Sequence, residues 1–389
     1  MFNQSNQNFN QSNQNFNQSN QKLTIMDLMK KAARMAGMGS AAVAAALVTL
    51  CMVSCEEQIV REPETEVGQG VISLSIMPKT KATGTSHGIQ SDDNTINTLE
   101  VFIFKNEGAD AGALDSYKKF NSNELSSLSG IKLQCVAGSK QIWVIANSHK
   151  DDWSGINTLE QFNGVMASLV KEDLKSFSMS GSAVAQVKGE TDVDVEISRC
   201  VARVHLSGIR TDFAGTPYEG QRLENVKAYL INAVGEVAFS TGAGVVQGAV
   251  LNYRMLVQKD VESCALEGML HDNIAQKIGD EGYSTSHYFY CYENMLEAED
   301  ARNRFTKLVV QADLNGTTYY YPVSINREGF GYDSANGHAG VRRNTSYSVE
   351  LVIRRPGTSD PDSLLEFGAV SANVSIMDWN TVPEIDVEF

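Results

Sequence analysis

His287 and Cys291 lie four residues apart in an alternating run, so a strand would carry both on one face. Two ligands alone do not make a zinc site. His271-Asp272 is an adjacent acid and base with no nucleophile motif beside it, and His205 sits inside an apolar run that suits a satisfied core or edge histidine. Asp92-Asp93-Asn94 offers oxygen ligands, but no twelve-residue loop closed by a glutamate follows, so the acids read as solvated turn chemistry. Gly242-Ala243-Gly244-Val245-Val246-Gln247-Gly248 resembles a dinucleotide loop only loosely, with its third glycine one residue late and no parallel βαβ pattern around it. No set here combines nucleophile, base and acid, so the chain reads as a non-enzyme without cofactor or metal.

The one residue whose surroundings specify a reaction is Cys55. It follows Val53-Ser54 at the end of a segment that starts basic (Lys30-Lys31-Ala32-Ala33-Arg34) and continues through the small and apolar Ala41 to Val48. A basic end, a short apolar middle and a small-residue exit make an export signal, too short for a membrane span. Ser54-Cys55 resembles the bacterial lipobox, in which the cysteine is acylated and becomes the first residue of the processed chain. Cys51, preceded by the bulky Leu50, is the weaker alternative, and an ordinary cleaved signal is the other. Acylation would anchor the protein, each buried methylene contributing about 0.8 kcal/mol. Glu56-Glu57 directly after Cys55 resembles the acidic export tag of surface lipoproteins, which implies the outer face of the outer membrane.

What remains after the signal is acidic: 28 basic against 46 acidic residues from Cys55 onward, a formal charge of −18. Nucleic acid is a poor partner for that surface. Cys135, Cys200, Cys264 and Cys291 lack paired metal spacing, and one or two disulfides compete with burial as small apolar side chains. Residues 1–25 repeat Phe-Asn-Gln-Ser-Asn-Gln and read as a low-complexity arm or a start-site error, with a signal peptide over 26–54.

The remaining elements are mostly strands. Val71 to Ile76 alternates, with Ile72, Leu74 and Ile76 on one face, and a polar exposed segment carrying Lys79 and Lys81 follows. Such a segment suits proteolysis, and an ordinary loop is the other reading. Further strands are predicted at Leu99–Phe104, Ile142–Ile145, Val193–Ile197, Arg199–Leu206, Leu223–Ile231, Val234–Ser240, Ser286–Tyr292, Phe305–Val310, Thr317–Val323, Val341–Ile353 and Val370–Ile376. Ile156 to Phe177 can hold one or two helices, and Asn315-Gly316 is a two-residue hairpin signal. Residues 382–389 form a last extended run with Ile385, Val387 and Phe389 on one face.

In this order, a lipobox, a strand, a basic exposed site, Leu99-Glu100-Val101-Phe102-Ile103-Phe104, then Arg199-x-x-Ala202-Arg203-Val204 and Arg343-Asn344-x-x-Tyr347-x-Val349, the chain resembles the fimbrillins, the type V pilins of the Bacteroidetes. The resemblance implies a mainly β fold of two β-sandwich-like, transthyretin-like domains with a few short helices. It places a tether and propeptide strand at 55–81, an N-terminal domain at 82–210 and a C-terminal domain with a donor tail at 211–389. It further implies cutting near Lys79, Lys81 and Ala82, displacement of Ile72, Leu74 and Ile76, and their replacement by Ile385, Val387 and Phe389 of a neighbour. Family members are often cut after arginine, whereas this segment offers lysines.

The implied role is a pilus subunit for adhesion and biofilm formation, on the surface of the outer membrane to which the precursor is anchored by lipid. Its partners are then other pilin subunits in a homopolymer, with tip and anchor subunits, and host or bacterial surface ligands. A tip or anchor subunit is the alternative within the family. A glycan-binding lipoprotein using Tyr319, Tyr320 and Tyr321, or a surface hydrolase using His287 and Asp272, are the alternatives outside it. Asp333-Ser334-Ala335 and Asp362-Ser363-Leu364 resemble an O-glycosylation sequon.

Overall fold

Leu99 to Phe104 is apolar on consecutive positions, as a strand buried on both faces must be. A computed structural model, which describes residues 68–78, 95–240, 248–330, 332, 338–363 and 370–378, places it as strand β2 (Thr98–Lys105) between two cores. Leu99, Val101 and Ile103 face one core, while Phe102 and Phe104 face the other.

The first core lies within the N-terminal half, formed by β1 (Gln69–Pro78), β2, β3 (Leu114–Asn121), β4 (Ser129–Val136), β5 (Gly138–Ala146), β7 (Met179–Val187) and β8 (Glu190–Arg199). Their order is β3-β2-β5-β7-β8-β1-β4. Strands β7 and β8 share only the pairs Met179↔Arg199 and Ser180↔Ser198, so β8-β1-β4 parts from β7 beyond them and closes over the Leu99–Val101–Ile103 face. Gly181 sits where they part, its missing Cβ allowing the Glu196 carbonyl to come within 1.9 Å of where a Cβ would stand. Between β5 and β7 lie α1 (Leu159–Asn163), β6 (Met166–Ser168) and a 3-10 turn (Leu169–Lys171). Thr158 caps α1 in a reciprocal box with Gln161. The predicted helical stretch is thus one short helix and a turn, with Phe162 and Leu169 buried.

The second half begins with β9 (Val201–Thr211), which crosses the expected domain junction at 210 and pairs with later strands. It is followed by β10 (Glu224–Ile231), β11 (Ala233–Val234), β12 (Glu236–Ala238), β13 (Val250–Leu251), α2 (Gln258–Ser263) and β14 (His271–Ile274). Then come β15 (His287–Tyr292), β16 (Lys307–Leu314), β17 (Thr317–Ser324), β18 (Thr345–Ile353) and β19 (Val370–Asp378). Sheets β14-β10-β16-β17 and β13-β11-β15-β9-β18-β19 share the larger core, to which Phe102, Phe104, Trp143 and Phe162 of the first half also belong. A two-stranded pair, β6 with β12, ties the halves together.

Several expected strands differ in their bounds for local reasons. The run through Arg199 breaks at Cys200, where the chain leaves one sheet for another. Val234 to Ser240 divides at Gly235, which is packed against Leu251. The strand expected from Val341 starts at Thr345, because Asn344 has a left-handed φ of 55°. Asn315 and Gly316, at φ 52° and 76°, turn β16 into β17 as a type I′ hairpin requires. No helix among the described residues is long and apolar enough to cross a membrane.

Candidate functional site

Strand β1 occupies a slot between β4 and β8. It runs antiparallel to β4, with Ile72 opposite Leu133 and Leu74 opposite Ile131, and parallel to β8, with Leu74 beside Val193 and Ile76 beside Val195. Main-chain hydrogen bonds therefore form along both edges, reinforced at the ends by Val71 N–H to the Gly189 carbonyl and Ile76 N–H to the Leu128 carbonyl, both 2.8 Å. The period-two pattern turns Ile72, Leu74 and Ile76 inward, fully or almost fully buried against Val101, Ile103, Val144 and Val195. Gly70 begins this inward row, and a Cβ there would stand 2.4 Å from Val187 Cγ1. The outward row, Val71, Ser73, Ser75 and Met77, carries no charge.

Taking β1 out would expose three aliphatic side chains' worth of apolar wall, each worth about 1.5–3 kcal/mol when buried. It would also leave a row of backbone donors and acceptors unpaired on each flanking strand. Cys55, Lys79, Lys81, Ala82, Ile385, Val387 and Phe389 lie outside the described residues, as do Asp92-Asp93-Asn94, the Gly242 to Gln247 stretch and Asp333-Ser334-Ala335.

The two arginine motifs, far apart in sequence, meet where β9 and β18 pair in parallel. Arg199 Nη1 donates to Asn344 Oδ1 at 3.4 Å, Arg203 Nε donates to Ser346 Oγ at 3.0 Å, and Asn344 N–H reaches the Val201 carbonyl at 2.9 Å. Arg343 closes the junction, bonding Glu293 Oε1 at 2.6 Å and the Ala238 carbonyl at 3.2 Å. Tyr347, buried, accepts the Arg342 N–H and donates to the Gly340 carbonyl. These residues fasten the start of β18 to β9. Nearby, the buried Glu172 accepts the Tyr292 hydroxyl at 2.7 Å and the Ser178 N–H at 2.8 Å, an anchor that no short motif marks. Burial pushes its carboxyl above the ordinary range.

The structure brings Asp272 and His287 together, joining β14 of one sheet to β15 of the other. Asp272 Oδ2 accepts from His287 Nδ1 at 2.6 Å, which leaves Nε2 to accept the Tyr283 hydroxyl at 2.7 Å. Both ring nitrogens are thereby engaged, and Cys291, further along β15, is fully buried with its thiol pushed up to about 12 by burial. The bond from His287, more than any other contact, holds the Asp272 carboxyl below the usual range. A depressed acid contributes stability that is present above its unfolded pKa of about 3.9 and is lost as pH falls through the folded value. The gap in melting temperature between the wild type and Asp272→Asn is accordingly expected to close as pH is lowered from 5 to 2. A gap constant over that range would show the pair to contribute nothing.

His205 bonds Ser286 Oγ at 2.9 Å and Ser348 Oγ at 3.1 Å and stacks on Tyr288, and burial followed by the charge of Arg203 lowers it to about 4. Cys135, Cys200, Cys264 and Cys291 are free thiols, three of them buried. Among the described residues no group of three or more His, Cys, Asp or Glu is arranged to hold a metal. Tyr319, Tyr320 and Tyr321 alternate faces of β17, and Tyr321 is fully buried, so the three do not share one surface.

Residues 71–202 match the family described as major fimbrial subunit protein (FimA), and residues 292–379 match the FimA4 pilin C-terminal domain. The chain is 22% identical over 349 residues to the major fimbrium subunit FimC of Porphyromonas gingivalis, covering 88% of this chain and 70% of that one. It is likewise 22% identical over 385 residues to the major fimbrium subunit FimA type-2 of Porphyromonas gingivalis, covering 86% and 95%. The crystal structure of a fimbrilin (fimA) from Porphyromonas gingivalis W83 superposes with a TM-score of 0.56 at 18% identity, over 80% of this chain and 97% of that one.

Proposed function

The chain belongs to the fimbrillin family of the Bacteroidetes, and on that premise we propose that it joins its neighbours by exchanging strand β1 for a strand of another subunit. It is a structural subunit of a surface fimbrium, and its partners are other pilin subunits. The observation that supports strand exchange is the slot itself: Ile72, Leu74 and Ile76 are wholly or nearly wholly buried, yet belong to one strand bonded on both edges by main chain. In this reading the chain is acylated on Cys55, held at the outer membrane, and cut in the segment holding Lys79, Lys81 and Ala82. Until the cut, β1 keeps the slot filled and assembly silent. After it, main-chain bonds to an incoming strand supply affinity, and alternate side chains set the register. Residues 382–389, with Ile385, Val387 and Phe389 on one face, are offered to the next subunit's slot.

Intact-mass spectrometry of protein sheared from the cell surface tests this directly. A chain beginning at Thr80 or Ala82 is the expected result. A chain that still begins at acylated Cys55 would mean β1 never leaves, and a pilus anchor or a tethered binding lipoprotein would then be the better account.

A further inference from the structure

We propose that the β1 slot is built for the strand of an unlike pilin whose outward-facing residues are neutral or basic, and that it discriminates against residues 382–389 of a second copy of this chain. The proposal rests on the strand-exchange reading above and names the partner that reading leaves open.

The charge lies on β8. Its inward residues Val193, Val195 and Ile197 line the core, and its outward residues Glu190, Asp192, Asp194 and Glu196 are all exposed acids. Parallel register sets them one for one beside the outward row of β1: Glu190 beside Val71, Asp192 beside Ser73, Asp194 beside Ser75 and Glu196 beside Met77. On the other flank β4 presents Gln134 opposite Val71 and Lys132 opposite Ser73. Among the outward residues of these three strands Lys132 is the one cation, and it is already committed, its Nζ 2.6 Å from Glu190 Oε1 on the far side of β1. Only a small, uncharged outward row, such as that of β1, leaves this bridge undisturbed.

Residues 382–389 carry the opposite character. Glu384, Asp386 and Glu388 alternate with Ile385, Val387 and Phe389. Whenever the apolar three turn inward, the three acids turn outward, because the strand period is two, and this holds for either strand direction. They would then lie roughly 5 Å from the carboxylates of β8. Glu190 is partly compensated by Lys132, so the repulsion falls mainly on Asp192 and Asp194. Like charges on adjacent strands are destabilising, and these pairs together weaken insertion by up to about tenfold. The formal charge of −18 from Cys55 onward opposes self-association further. A strand with the same aliphatic inward row and Ser, Thr or Lys outward meets none of this repulsion, and a Lys would pair with Asp192 or Asp194.

Two measurements test the proposal. In the uncut chain, Ser73→Glu with Ser75→Glu is expected to lower the melting temperature by several degrees at low salt, while Ser73→Lys with Ser75→Lys does not. The gap should narrow in 1 M salt and in an Asp192→Asn, Asp194→Asn background. Equal melting temperatures for the Glu and Lys variants overturn the proposal. In the second measurement, the chain cut after Lys81 is offered synthetic peptides of residues 69–78 and 381–389, and retained peptide is read by native mass spectrometry. The first peptide is expected to be retained about tenfold more than the second, and Glu384→Gln, Asp386→Asn and Glu388→Gln in the second should recover most of the difference. Equal retention of the two unmodified peptides overturns the charge filter and leaves strand exchange standing. Exchange of no peptide at any salt concentration removes strand exchange itself, and this proposal with it.

Discussion

Leu74→Ala in the uncut chain is expected to lower folding stability by about 2–5 kcal/mol, whereas Ser73→Ala, one residue away, changes it by less than about 0.5 kcal/mol. The contrast follows from the period of the strand. Leu74 is fully buried at the middle of the inward row, opposite Ile131 and beside Val193, in a core it shares with Val101 and Val144. Ser73 stands on the outward row under Lys132. Truncating Leu74 removes its transfer free energy and leaves a cavity whose walls are strands from both layers, so little can collapse into it. Urea unfolding of the two variants measures both quantities, and a Leu74→Ala loss below about 1 kcal/mol would mean β1 is not an integral strand. Where β1 is exchanged, the weakened strand should also leave faster, so cut Leu74→Ala protein should take up a synthetic peptide of residues 69–78 sooner than cut wild type. A slower uptake would count against displacement of β1 as the step that opens the slot.

How far the sequence foretold this architecture depends on how much each residue's role is local. The inward row of β1, the doubly buried β2 and the Asn315-Gly316 hairpin are legible because alternation and turn chemistry act within a few residues. Strands β3 and β7 escape notice for the converse reason: β3 carries Ser116, Lys118 and Lys119, and β7 carries Ser180, Gly181, Ser182 and two alanines, so composition there favours no element. Strand β4 is different: Ile131, Leu133 and Cys135 alternate with Lys132 and Gln134, a legible period-two signal absent from the strands predicted above. Pairing is harder still. That β1 runs parallel to β8, which sets uncharged residues beside four acids, depends on contacts across more than a hundred residues and leaves no mark in either strand alone. The same holds for Asp272 and His287: the sequence offers them as a hydrolase alternative, but nothing in either segment foretells the 2.6 Å bond that two sheets bring about between them. Arg199, Arg203, Asn344 and Tyr347 were visible as motifs, yet their meeting across the β9–β18 junction was not.

Asp362 shows most sharply what a short motif conceals. In Asp362-Ser363-Leu364 it resembles a modification sequon, but its carboxylate is buried and serves as the centre of an ion cluster. Lys307 Nζ donates to Oδ1 at 2.8 Å, Asn232 Nδ2 donates to the same oxygen at 3.0 Å, and Arg304 Nε donates to Oδ2 at 2.9 Å. Arg254 Nε adds a fourth contact at 3.0 Å, worth less because its side chain is half exposed. Burial alone would raise the carboxyl; Lys307, Asn232 and Arg304 outweigh it, and Asp362 stays ionised below the usual range. Asp362→Ala is therefore expected to cost about 3–5 kcal/mol, because among the described residues it leaves the buried Lys307 with Glu299 at 3.4 Å as its remaining counter-charge. Pairing Asp362→Leu with Lys307→Met removes both charges and should recover a large part of that loss, so a double-mutant cycle by thermal unfolding separates the ion cluster from packing. A loss under about 1 kcal/mol for Asp362→Ala would show the cluster to be incidental.

The position of Asp362 gives the cost a consequence for assembly. The segment from Arg354 to Ser363 leaves β18, lays Thr358 on Tyr320 at the edge of β17 through two 2.9 Å main-chain bonds, and ends at this anchor before the chain returns as β19. Releasing the anchor would free the main-chain groups of Tyr320 at the β17 edge, and unpaired edge donors and acceptors invite non-specific pairing. In a molecule whose proposed function is to accept one strand in one slot, an open second edge competes with that slot. Asp362→Ala protein should therefore form irregular aggregates before cutting, at temperatures where the wild type stays monomeric, and light scattering of the uncut chain distinguishes this from a loss of stability alone.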